Sequence, residues 1–410
     1  MVRRVKRILL LIPNLDFGGA QRAFYYLGRE LSADYEVYEC VFNQDGGIAF
    51  PSENMLYDLE IPAGKNILDK GYRFLQRVFK VRSLKKKLQI DLTISMLEGA
   101  DHVNILSKHK DWVWLCVQGS KSFDKDMRYE ALSKKFLIPF FYKKADRIIA
   151  VSEGIRKELI KQFNINERKV VVIENAVDQK MVDQKKSEPL PDLYKQLFST
   201  NKVIVTSGRL HNQKNQLPLF DVYAEIHRID PQIRMFIIGD GPLKQEMENR
   251  AEKFSFKTYF QWNAVEPTGS ESVFFLGYQD NPFKYIYNSN LFIFPSLWEG
   301  YPLALLEAMS CAVPVLAADC PTGPRQILAP NNAKDVYELE QLEVGEYGML
   351  LPLITGRKNS NAVSVWAETI LRFINDREFI SYYGKRSRSR AKDFSVEVIG
   401  SRWKAELAKQ

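Results

Sequence analysis

The chain has 410 residues, 45% hydrophobic and 26% charged. That composition excludes disordered and collagen-like chains, and the length exceeds one ordinary core and divides into two domains of roughly 150–200 residues. The net charge of +8 fits nucleic acid, an anionic membrane or an acidic substrate, and it is local: residues 1–150 hold 25 Lys and Arg against 18 Asp and Glu, residues 151–410 hold 33 against 32.

Met1-Val-Arg-Arg opens the chain without the apolar stretch of a secretion signal, and no apolar run approaches the roughly 20 residues of a spanning helix. A cytoplasmic protein is expected. The first strand candidate is residues 7–12, followed by Pro13-Asn-Leu-Asp-Phe-Gly18-Gly19-Ala20-Gln21-Arg22, where paired glycines open a helix. Such a turn lets backbone approach an anion and points a helix N-terminus at it, although a tight turn alone also needs glycine. The full GxGxxG fingerprint is missing, which argues against a nicotinamide dehydrogenase. After a strand at 36–41, residues 69–87 (DKGYRFLQRVFKVRSLKKK) carry Arg77, Lys80, Lys85, Lys86 and Lys87 among eight cations and one acid. Tyr72, Leu75, Val78, Phe79 and Leu88 recur at helical spacing, so the segment reads either as a basic amphipathic helix lying on an anionic bilayer or as a solvated helix whose apolar stripe faces the core.

Strands at 92–95 and 112–117 end in Glu98 and Gln118. A second basic-aromatic stretch spans 133–144, and strands at 147–151 and 169–173 follow. The polar, proline-containing 183–192 reads as the interdomain linker. In the second half, strands are expected at 203–207, 235–239, 273–276, 291–295 and 313–317 with helical periodicity between most of them, and residues 376–410 read as helical and charged. This alternation predicts an α/β fold with a parallel sheet covered on both faces in each half, and ligands then bind outside the carboxyl ends of the strands. Cys40, Cys116, Cys311 and Cys320 lack CxxC spacing and read as reduced structural thiols; with only four histidines, no metal site is expected. No nucleic-acid module accompanies the charge, so nucleic acid is not an expected partner.

Two loops of the second half carry the chemistry. In Ser207-Gly208-Arg209-Leu210-His211-Asn212-Gln213-Lys214-Asn215, a guanidinium fork and a lysine five residues apart suit a diphosphate. In Phe294-Pro295-Ser296-Leu297-Trp298-Glu299-Gly300-Tyr301-Pro302-Leu303, a strand end leads into a helix whose first position is expected at Pro302. Its free amides can take phosphate or sugar oxygens, and Glu299 and Glu307 can accept hydrogen bonds from vicinal hydroxyls. Dipole complementarity alone would also place an acid at Glu299.

The ordered series of motifs resembles glycosyltransferase family 4, retaining enzymes of the GT-B fold, over most of the chain. It comprises GGAQR, Val151-Ser152-Glu153-Gly154, Asn175-Ala176-Val177-Asp178, SGRLHNQKN, IIGDGP at 237–242 with Gly241, FLGY at 275–278, the two glutamates at 299 and 307, and Asp319-Cys320-Pro321-Thr322-Gly323-Pro324. The resemblance implies two Rossmann-like domains, 1–182 for the acceptor and 193–375 for a nucleotide diphosphate sugar, facing a central cleft. It also implies that 376–410 packs back on the first domain. By the same resemblance Arg209 and Lys214 hold the donor diphosphate and stabilise the leaving group, and Glu307 takes ribose hydroxyls. Glu299 with Gly300, Tyr301, Pro302 and Leu303 holds the sugar, Gly18 and Gly19 line the phosphates, and Tyr278 flanks the base. No metal is required.

Two positions depart from the pattern: Gln118 stands where many members have histidine, and Gln326 where relatives often have glutamate. Gln118 therefore carries over only as a sugar contact, and Glu98 as a candidate for orienting the acceptor. The expected activity is retaining transfer of a hexose or N-acetylhexosamine from a UDP-linked donor to a lipid-linked glycan in capsule or lipopolysaccharide assembly, with possible peripheral contact to the inner membrane face. A UDP-sugar epimerase of the same fold and an inactive nucleotide-sugar-binding partner subunit are the alternatives.

Overall fold

The computed structural model describes residues 6–44, 50–123, 136–254, 256–332, 339–355 and 361–409. The opening Met1-Val-Arg-Arg and the start of the basic-aromatic stretch, residues 133–135, lie outside them. The chain forms two compact units, Met1–Ala176 with Val396–Gln410, and Val177–Ser395.

The first unit contains β1 (Arg7–Ile12), α1 (Gly19–Ser32), β2 (Glu36–Val41), β3 (Met55–Asp58), α2 (Ile67–Leu88), β4 (Leu92–Met96), α3 (Glu98–Leu106), β5 (Trp112–Val117), α4 (Ile138–Tyr142), β6 (Arg147–Ala150), α5 (Glu153–Lys161) and β7 (Val170–Val172). Its seven strands are parallel in the order β3-β2-β1-β4-β5-β6-β7. Every residue of β4 is buried, because helices cover both faces and a parallel strand then has no polar side.

The second unit contains α6 (Gln179–Lys186), α7 (Asp192–Thr200), β8 (Lys202–Ser207), α8 (Leu219–Ile229), β9 (Ile233–Ile238), α9 (Lys244–Ala251), β10 (Thr258–Phe260), β11 (Val273–Phe275), α10 (Phe283–Asn288), β12 (Leu291–Phe294), α11 (Leu303–Ser310), β13 (Val315–Ala318), α12 (Pro324–Leu328), β14 (Glu343–Val344), β15 (Met349–Leu351), α13 (Ala362–Ile374) and α14 (Arg377–Ala391). The sheet order is β10-β11-β9-β8-β12-β13-β15-β14, parallel except for the short terminal pair β14/β15.

The boundaries differ from those read in the sequence. The polar stretch 183–192 is no linker: Asp183 lies on α6 and accepts from the two terminal guanidinium nitrogens, Nη1 and Nη2, of Arg388 on α14 at 2.8 Å. That pairing ties α14 to the second unit, where it also packs on α11. Only α15 (Val396–Leu407) returns to the first unit, packing on α1 and burying Ile399, Trp403 and Leu407. All four cysteines are free and buried.

Helix α2 has two apolar faces. Val78 and Val81 join Leu9, Leu11, Ala100 and Val103 in the core. Tyr72, Leu75 and Phe79 point the other way and are more than half exposed. The stripe seen in the sequence was therefore two stripes superposed.

Three of the five cations assigned to a membrane surface are structural. Lys85 is 2% exposed, with Nζ 2.8 Å from Asp111 and 2.9 Å from the Asn104 side chain. Arg77 donates to the carbonyls of Ile61 and Pro62 and stacks over Phe42, and Lys80 donates to the Leu59 carbonyl. The stems of Arg77 and Lys80 reach loop carbonyls beside the helix, although Lys80, like Lys86 and Lys87, is exposed.

Linked to Lys85 through Asn104 and Ser95, Asp101 is fully enclosed and accepts hydrogen bonds from Ser95 (2.7 Å) and Tyr142 (2.8 Å). Burial pushes its carboxyl up to about 7. An acid raised in the folded state keeps a proton that the unfolded chain has released, so stability is highest below the unfolded value and declines as pH rises through this window. Between about pH 4 and 7 the Asp101 contribution falls by up to about 4 kcal/mol. The Asp101→Asn variant should lose that component, narrowing the gap between urea midpoints measured at the two ends of the window; an unchanged gap overturns the assignment.

Candidate active site

In the second sheet, β11, β9, β8, β12 and β13 are consecutive and parallel, so their carboxyl-end loops lie in a row. The β8 and β9 loops are joined by backbone: Gly208 N–H donates to Ile238 O and Leu210 N–H to Asp240 O, both at 2.9 Å. This approach requires glycine. A Cβ on Gly239 (φ 144°) would sit 2.0 Å from Gly208 O, and one on Gly241 would sit 2.3 Å from Leu210 O. Gly241 thus has a steric reason for being glycine, independent of ligand. Gly239 N–H in turn donates to Gly277 O at 2.7 Å, bringing in the β11 loop with the half-exposed Tyr278.

The other side of the β8 loop is laced to the β12 loop. Leu297 N–H donates to Gln213 O and the Gln213 amide to Trp298 O, both at 2.8 Å. Asn215, in a left-handed turn (φ 54°), donates to Pro295 O and Ile354 O. These contacts bring Lys214 Nζ to 2.6 Å from Glu299 Oε1, with the lysine side chain 22% and the glutamate side chain 6% exposed. Arg209, on the same loop, is exposed; its carbonyl accepts from the Gln216 amide at 3.0 Å, and its guanidinium has no ion-pair or hydrogen-bond partner among the described residues.

Glu299 is held on both sides of its backbone by the β13 loop. Its N–H donates to Pro321 O at 3.3 Å, and the Thr322 hydroxyl donates to its carbonyl. That loop is fixed by Arg325, which forks onto Asp319 at 2.9 and 2.6 Å and reaches Glu343 at 2.7 Å. Buried charges survive only with such complementary pairing. Gly300, Tyr301 and Pro302 are buried. Pro302 is the N-cap of α11, one residue before the expected position, and Leu303 begins the helix. Glu307 follows on the next turn, 6% exposed.

The first unit carries its candidates at strand carboxyl ends too. Gly18 and Gly19 are exposed at the start of α1, and Gly18 has ordinary extended backbone (φ 178°). Glu98 opens α3, 3.5 Å from Lys121 Nζ. Gln118 turns its amide nitrogen inward, 3.2 Å from Cys116 Sγ. It lines a cavity of about 30 Å³ with Met96, Cys116 and Trp403, a volume on the scale of one water and too small for a sugar ring.

Thr322 and the Asp319–Arg325–Glu343 cluster were missed as supports of the site. The Ser296 hydroxyl, 1% exposed at the end of β12, has no hydrogen-bond partner among the described residues. The signal available was position: Ser296, Asp319 and Thr322 follow apolar strands at the end where ligands bind, whereas Glu343 opens the short strand β14 and gave none. Among the described residues no three His, Cys, Asp or Glu side chains are grouped as metal ligands.

Two parallel Rossmann-like sheets, with cations, a buried carboxylate and a helix start collected at strand carboxyl ends in the second, define a GT-B glycosyltransferase. Residues 17–180 match the Glycosyltransferase Family 4 description and residues 194–340 match Glycosyl transferases group 1. The chain is 29% identical over 370 residues to an uncharacterized glycosyltransferase of Methanocaldococcus jannaschii, covering 83% of this chain and 84% of that protein. It is 26% identical over 405 residues to the N-acetylgalactosamine-N,N'-diacetylbacillosaminyl-diphospho-undecaprenol 4-alpha-N-acetylgalactosaminyltransferase of Campylobacter jejuni, covering 96% and 97%. Among solved structures, Anabaena HepE in complex with UDP superposes with a TM-score of 0.71 at 18% identity, over 98% of this chain and 100% of that one. The chain belongs to glycosyltransferase family 4.

Proposed function

We propose that the protein transfers a hexose or N-acetylhexosamine, with retention of configuration, from a UDP-sugar to a lipid-linked glycan at the cytoplasmic face of a membrane. The Lys214–Glu299 pair beside exposed Arg209 carries this reading, because it sets two cations and an acceptor of sugar hydroxyl hydrogen bonds on interlocked loops. In support, the Campylobacter relative's name specifies a diphospho-undecaprenol acceptor, and Anabaena HepE binds UDP.

In this scheme the Arg209 guanidinium and the Lys214 ammonium take the donor diphosphate, and Glu307 takes ribose hydroxyls. Glu299 and the backbone of Gly300 to Leu303 hold the sugar. The bond from the sugar's anomeric carbon to the diphosphate oxygen breaks, UDP leaves with the electron pair, and the acceptor hydroxyl bonds to the same face. Its proton passes to a phosphate oxygen of the departing UDP. Negative charge grows on the diphosphate in this step, so fixed cations there stabilise the transition state more than the ground state. Neutralisation by Arg209 and Lys214 makes a metal unnecessary. Tyr278 flanks the base, and Glu98 stands for the acceptor contact; Gln118, with its amide turned inward, has no part in the scheme.

The test is thermal stabilisation by UDP and GDP, followed by transfer to an undecaprenyl-diphosphate-linked sugar with and without EDTA. Selective stabilisation by UDP and an EDTA-insensitive product of unchanged anomeric configuration are expected. Stabilisation by GDP alone, an inverted product, or donor turnover to an epimer without acceptor overturns the corresponding part.

A further inference from the structure

The outward face of α2 has no role in the fold. Leu68, Tyr72, Leu75 and Phe79 occupy i, i+4, i+7 and i+11 and are 86%, 63%, 53% and 69% exposed, opposite the face that packs Val78 and Val81 into the core. A continuous stripe of four large apolar side chains exceeds the scattered surface hydrophobics of an ordinary protein. The stripe runs on to Lys86, beside Lys87, and Lys70 is exposed at its other end. The helix carries one acid, Asp69, which is engaged by Arg73 and the Lys65 N–H.

A second basic-apolar patch lies in the same layer. Helix α2 packs on α3, and the His102 ring of α3 sits 4.6 Å from the Phe141 ring of α4. There Leu137 and Phe140 are 46% and 57% exposed. Lys144 Nζ stands 3.8 Å from the Phe140 ring centre, and Lys143 is exposed.

We propose that this layer of the first unit docks on an anionic lipid bilayer through the Leu68–Phe79 stripe, with Lys86 and Lys87 on the headgroups. Charge complementarity selects the occupant. The core of a protein–protein contact is depleted of lysine, whereas an interfacial helix puts aromatic and aliphatic side chains at the acyl boundary and flanks them with cations. This deepens the reading of a lipid-linked acceptor by stating how the enzyme meets the surface that bears it. Vesicle binding requires no sugar transfer, so either can fail alone.

The experiment is flotation of the full chain with vesicles of equal parts phosphatidylglycerol and phosphatidylcholine, and with phosphatidylcholine alone, alongside light scattering of the protein in solution. Binding to the anionic vesicles is expected. The pair Leu75→Ser/Phe79→Ser should lower partitioning about tenfold or more, and Lys86→Gln/Lys87→Gln about tenfold, with strong weakening by salt. Both variants should keep the melting temperature and the rate with a water-soluble acceptor, since none of these side chains enters the core or the site. The proposal is overturned if the wild-type chain does not float, if the serine pair binds as wild type does, or if that pair instead converts a dimer to a monomer, which would assign the stripe to a second copy.

Discussion

Replacing Lys214 by alanine lowers the transfer rate by about 10²–10³-fold while the protein stays folded. The magnitude follows from placement. The ammonium is held by the laced β8 and β12 loops before any donor arrives, so no reorganisation is needed when charge develops on the leaving diphosphate. Lys214→Arg keeps the charge but not the compact geometry and should lie between the two. Because the variant removes the ion-pair partner of the nearly buried Glu299, a modest fall in melting temperature is expected, and UDP should restore less of it than in wild type. Initial rates under saturating donor, with melting curves with and without UDP, check this. Activity within about threefold of wild type would falsify the catalytic role.

The largest stability effect lies in the first unit. Lys85→Met should destabilise it by about 3–5 kcal/mol, because Asp111 is left as an uncompensated buried carboxylate. Burial pulls the Lys85 ammonium down to about 8, against the opposing attraction of Asp111, so the charged pair is enclosed at a cost that only the complete network offsets. The double variant Lys85→Met/Asp111→Leu should recover most of the loss, since two apolar groups leave no charge unpaired. Hydrogen exchange at β5, followed through a urea series, reads this unit apart from the second. A double variant no better than the single one would show that the pair is not the source of the loss.

Lys85 also marks where sequence reading stops. In Lys85-Lys86-Lys87 three identical residues have three identical prior expectations, and only the third dimension sets one against Asn104 and Asp111, 19 and 26 positions away. The apolar strands were legible because burial on both faces demands unbroken aliphatic runs such as residues 8–12. Met55–Asp58, Thr258–Phe260, Glu343–Val344 and Met349–Leu351 were not legible. They are two to four residues long and all four lie at or next to sheet edges, so no periodicity has room to develop. The Arg209–Lys214 loop and the two glutamates were readable because their spacing and their place after a strand are local. The clamp from Arg325 through Thr322 onto Glu299 was not, because no single motif contains all three. The 183–192 stretch misled for a related reason: its polarity is that of a solvated helix face, and the pairing of Asp183 with Arg388 spans 205 positions.

The return of α15 to the first unit has a consequence for synthesis. Trp403 stacks near Trp114, Glu406 pairs with Arg147, and Lys404 with Asp34. The unit whose strands leave the ribosome first therefore lacks its closing helix until residues 396–407 emerge, after every residue of the second unit. Contacts of this sequence separation are slow to close. The nascent first sheet spends most of translation with the face of α1 that receives Ile399 and Trp403 uncovered, the interval in which chaperone engagement and aggregation compete with folding.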